Sequence, residues 1–103
     1  MAYTKDELAA IWEKGTPVEN FNPQYFRKDV CGAWMIFAQY GNCKSRFGWE
    51  INHIDNNPDD SIHNLRPTQW ENCQAYDSEN PKCIVTGSGS LNVYVSKAVG
   101  RDK

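Results

Sequence analysis

Apolar and polar positions alternate along this chain with periods that change several times. Thr4-Lys-Asp-Glu7 has the spacing of a capping box, and Leu8, Ile11 and Trp12 then recur at helical intervals until Gly15 and Pro17 stop them. This predicts an N-terminal helix. Residues 16–29, rich in Asn and Pro, read as an irregular connection. Residues 30–40 form a short apolar, aromatic-rich run closed by the turn pair Gly41-Asn42, which favours a strand. In residues 47–54, Trp49 and Ile51 alternate with Glu50 and Asn52, which predicts a second strand. A polar loop over 55–63 leads to a short returning strand at 65–67. Thr68 then stands where a helix over 69–76 would take its N-cap, and residues 78–81 break that helix. Two further short strands, around Val85 and Val93, flank Gly87-Ser-Gly-Ser90 as a closing hairpin. The pattern is that of one small α+β domain spanning residues 1–103, with an N-terminal helix and a C-terminal β-hairpin.

Composition narrows the class. With 40% hydrophobic and 13% aromatic residues in 103, the chain has enough apolar surface for one modest core and is no candidate for disorder. No run approaches the roughly 18 apolar residues of a membrane span. The polar start, Met-Ala-Tyr-Thr-Lys-Asp-Glu, has the character of neither a signal nor a transit peptide. The four cysteines, Cys31, Cys43, Cys73 and Cys83, include no CxxC pair. That argues against a zinc knuckle and leads to an expectation of free thiols in a cytoplasmic protein, with Cys31 filling core space.

Charge then directs attention to the centre. The formal net charge is −2, and residues 51–78 carry Asp55, Asp59, Asp60, Glu71 and Asp77 against Arg66 alone. An acidic middle suits a cation better than a bare phosphate backbone, although solvated loop acids are the commoner cause of such a pattern. Lys97, Arg101 and Lys103 give the C-terminal end a weakly basic character. The four tryptophans, Trp12, Trp34, Trp49 and Trp70, are expected to pack in or around the core.

Within that centre, Gly48-Trp-Glu-Ile-Asn-His-Ile54 is followed by Asn64-Leu-Arg-Pro67 and Trp70-Glu-Asn-Cys73. Together with Cys31-Gly-Ala-Trp34, Tyr40-Gly-Asn42 and Phe47-Gly-Trp49 upstream, the series resembles a small bacterial or phage-type branch of the HNH endonucleases. Its pattern there runs close to CGAWI, YGN, GWEIDHI, NLQPLQWENN and KGD. The resemblance covers roughly residues 11–77. It implies a ββα-metal core over about 48–77 and metal-dependent hydrolysis of DNA phosphodiesters.

It also implies roles. His53 matches the general base, for which a neutral imidazole is suited near pH 7. Asn64 matches the residue that cross-links the loop and holds the histidine. Asn52 matches one metal ligand. The other is Cys73, by a count of nine from Asn64, or Asn72 one place earlier. Mg²⁺ or Mn²⁺ is the expected ion, with Zn²⁺ or Ni²⁺ if the Cys73 thiolate is a ligand. Arg66, the one cation inside the motif, is a candidate phosphate contact by its charge, and a surface ion pair explains it equally well. Three positions depart from the pattern: Asn52 replaces the usual Asp, Cys73 the second Asn of WENN, and no lysine follows at KGD. The competing expectation is an HNH-fold protein that no longer hydrolyses and binds nucleic acid or protein instead. His63 and Asp55, Asp59 and Asp60 are expected to be solvated loop residues.

Overall fold

The computed structural model describes residues 3–55, 61–75 and 83–95. The first element, α1 (Lys5–Trp12), begins as the capping box predicts: the Glu7 N–H donates to Thr4 Oγ1, and Glu7 Oε1 accepts from the Thr4 N–H. Its apolar stripe ends in Ile11 and Trp12, both buried. The last turn has no basic residue of its own to meet the carbonyls left over at a helix C-terminus. Arg27 supplies one from outside, donating through Nη1 to the Glu13 and Gly15 carbonyls. Gly15 permits that approach, since a Cβ there would lie 3.1 Å from Arg27 Cβ.

The segment expected to be irregular holds a strand, β1 (Phe26–Lys28), which pairs antiparallel with β2 (Trp34–Ile36). The single strand expected over 30–40 is cut short at both ends. Before it, Asp29 Oδ1 accepts from the Cys31 and Ala33 N–H groups and forces a turn with Gly32 at φ 83°. After it, Phe37–Gln39 forms a single 3₁₀ turn. Trp12, Met35 and Trp49 form the core cluster, with Phe37 packed against it. The Trp12 and Trp49 rings lie 5.1 Å apart, and Trp12 meets Phe37 edge-on at 5.4 Å.

Strand β3 (Trp49–His53) pairs antiparallel with β4 (Leu65–Gln69) from Trp49↔Gln69 to His53↔Leu65. Helix α2 (Trp70–Ala75) follows β4 without a break. Thr68 is therefore not its cap. It lies inside β4, where its hydroxyl donates to Asn52 Oδ1. The capping acceptor is the side chain of Gln69, whose Oε1 receives the N–H groups of Glu71 and Asn72. The last pair, β5 (Val85–Ser88) and β6 (Leu91–Tyr94), is the expected hairpin, turning through Gly89 at φ 61°. Among the described residues, three two-stranded ladders and two α-helices make up an α+β unit. Among the described residues no helix is long and apolar enough to cross a membrane.

Buried polar side chains bind these pieces together. The Asp29 carboxylate, besides its two turn contacts, accepts from the Gln69 N–H and from Asn72 Nδ2. Asn92 accepts from the Trp34 N–H and donates to the Trp34 and Arg46 carbonyls, fixing β6 to β2. The expectation of free thiols fails at two positions. Cys31 and Cys83 form a disulfide across 52 residues, bringing the turn after β1 to the start of the C-terminal hairpin; Cys31 does not simply fill core space. Cys43 and Cys73 remain free. No spacing rule marks two cysteines so far apart, because only the tertiary fold brings them together.

Candidate functional site

The β3–β4 hairpin and α2 bring most of the singled-out residues into one region. Antiparallel pairing puts opposite residues on the same side, so Asn52, Arg66, Glu50 and Thr68 share one face of the hairpin. His53 occupies the last position of β3, half-buried at the mouth of the loop. Asn64 closes that loop. Its carbonyl accepts from the Ile54 N–H at 2.8 Å, and its Oδ1 accepts from the Asp55 N–H at 3.3 Å. The backbone that carries His53 out of β3 is thereby tied to the residue just before β4. His63 and Asp55 are exposed, as loop residues were expected to be. Asp59, Asp60 and the basic residues Lys97, Arg101 and Lys103 lie outside the described residues.

Asn52 is 8% exposed. Its Oδ1 accepts from Thr68 Oγ1 at 2.8 Å and, less closely, from Arg66 Nε at 3.3 Å. Its buried Nδ2 finds no acceptor among the described residues. The Arg66 contact fixes the sense of the amide, since turning it over would set N–H against N–H.

The two candidate ligands on α2 have separate surroundings. Asn72 is 1% exposed, and its amide is fully used. Oδ1 accepts from the Ile84 and Val85 N–H groups, and Nδ2 donates to Asp29 Oδ2 and the Val85 carbonyl, all at 2.9–3.0 Å. It joins α2 to β5 and has no valence left for an ion. Cys73, one step and about 100° further round the helix, lies instead within electrostatic reach of Glu50 and Arg66 on the Asn52 face. Burial, reinforced by Glu50 and opposed by Arg66, pushes its thiol up to about 11.

Two residues that the sequence did not single out belong to this region. Glu50 adds a carboxylate on the face shared by Asn52 and Cys73; the alternation in β3 placed it there without marking it. Lys14 donates from Nζ to the carbonyls of Ile62 and Leu65, beside the His53 end of the hairpin, and partial burial lowers its pKa. Nothing in the sequence joins Lys14 to positions about fifty residues later. Among the described residues no cluster of three or more His, Cys, Asp or Glu side chains is arranged to hold a metal ion. Comparison of the chain with protein-family models, curated proteins and solved structures finds no match.

Proposed function

We propose that this protein is an HNH-type endonuclease that hydrolyses DNA phosphodiester bonds, with His53 as general base. The observation that carries the reading is the strand–loop–strand–helix order of β3, β4 and α2, with His53 at the loop mouth and Asn64 tying the loop's two ends. Hydrolysis requires a proton to leave the attacking water as its oxygen bonds to phosphorus. An imidazole at the end of a strand would serve as that acceptor near pH 7. Asn64 acts as a positioning residue, since its two bonds fix the backbone that follows His53. Arg66 would contact the phosphate.

A divalent cation would be held by Asn52 Oδ1 and Cys73 Sγ, and when bound it would stabilise charge at the phosphate and the departing oxygen. With Asn72 spent on the scaffold, Cys73 is the helix donor that remains. These donors fit a thiophilic ion, Zn²⁺ or Ni²⁺, better than Mg²⁺ or Mn²⁺. Such an ion would favour the thiolate form of Cys73 over the thiol that burial retains. The Asn52 oxygen would bind an ion in place of the longer of its two contacts, from Arg66 at 3.3 Å.

A second reading rests on that same contact. A guanidinium on the candidate ligand oxygen suits a protein that has kept the fold and a binding surface but lost hydrolysis. Supercoiled plasmid offered with Mg²⁺, Mn²⁺, Ni²⁺ or Zn²⁺ in turn separates the two. The nuclease reading expects nicking, fastest with the thiophilic ions, and loss of that preference in Cys73→Ala. Absence of nicking with every ion, alongside intact duplex binding, would favour the second reading.

A further inference from the structure

We propose that a cleft lined by Lys14, Lys28 and Arg66 receives the phosphate backbone of duplex DNA beside the His53 end of the hairpin. The inference rests on the nucleic-acid reading above and gives it a place on the surface. The cleft has a volume of about 240 Å³, and its walls come from three separate parts of the chain. Lys14 and Thr16 come from the turn after α1, Lys28 from β1, and Ile54 and Arg66 from the hairpin.

The balance of charge favours an anion. Asp29 is the one acid among the described lining residues, and it is 3% exposed with its carboxylate occupied by four N–H donors. Neither lysine is bonded to a carboxylate among the described residues. Both partners of the Lys14 ammonium are carbonyls, which use two of its three N–H donors. These bonds hold it against Leu65, the strand partner of His53. The Lys28 ammonium lies 4.9 Å over the Trp34 ring, a contact that leaves its charge uncompensated. With a net charge of −2, the whole chain offers DNA no general attraction, so association depends on a local surplus of this kind. Helix α2 has no basic residue in its last turn to provide one. The cleft draws its lysines from the N-terminal quarter of the chain.

The test is fluorescence anisotropy of a short labelled DNA duplex, titrated with the full chain at several KCl concentrations. Lys14→Gln with Lys28→Gln should weaken binding and flatten the plot of log affinity against log salt by about two, roughly one for each lysine removed. Because Lys14 also braces the start of β4, an exposed lining position gives an independent pair of variants. Thr16→Lys should tighten binding and steepen the slope, and Thr16→Glu should do the reverse; thermal melting checks that both fold. Duplex binding by the wild type that is indifferent to all four substitutions would overturn the cleft alone. A wild type that does not bind duplex at any salt concentration would overturn the cleft and the nucleic-acid reading together.

Discussion

Asn72 and Cys73 are neighbours with opposite fates, and the difference lies in what the rest of the chain brings to each side of α2. Asn72 meets the β5 backbone and Asp29, and three of its four amide contacts are buried and the fourth partly so. Asn72→Ala would leave those partners unsatisfied at about 1–3 kcal/mol for each group that water cannot reach. A loss of roughly 3 kcal/mol or more is expected in urea denaturation, and a loss below about 1 kcal/mol would show that the hub is dispensable. Cys73 makes the opposite kind of prediction. Its thiol, held near 11, should react slowly with an alkylating reagent at pH 8, while exposed Cys43 reacts readily. The sign follows from the shift. The native state holds the thiol proton between pH 9 and 11 where the unfolded state releases it, so stability falls as pH rises through that window, and Cys73→Ser should lessen the fall. Equal labelling of both cysteines at pH 8 would contradict the burial. The sequence narrowed the helix donor to these two residues and no further. The choice depends on β5, whose approach leaves no local mark.

At the scale of elements, legibility followed the range of the interaction. The α1 capping box and the β3 alternation are local, and both led to elements at the expected places. The start of α2 was missed by one residue, because Gln69 is an uncommon cap and Thr68 a common one; the hydroxyl instead serves Asn52 across the hairpin. The strand at 34–36 was read too long, since Asp29 turns the chain through backbone bonds that its type alone does not announce. The disulfide was missed altogether. Closing a loop across 52 residues should contribute about 2–4 kcal/mol. For a domain of this size each kcal/mol is worth roughly 4–8 °C, so reduction of Cys31–Cys83 should lower the melting temperature by about 10 °C or more. An unchanged melting temperature after verified reduction would mean that the polar hub alone holds the C-terminal hairpin in place.

At the scale of the whole molecule, net charge gives no hint of the proposed nucleic-acid surface, because the cations it would use are few and come from distant segments. The positions of His53 and Asn64 were legible in the spaced motifs and recur as a closed loop at the end of the hairpin. The ion they would work beside depends on packing around α2, which leaves Cys73 as the proposed helix donor. The proposed hydrolysis makes His53 the group that takes the proton. The most direct test is the rate of plasmid cleavage by His53→Ala against wild type, at equal concentration, in the ion that serves the wild type best. The account predicts a fall of about 10²–10⁴-fold, the usual cost of losing a general base, with the melting temperature unchanged within a few degrees. Cleavage that persists undiminished in a folded His53→Ala protein would contradict it.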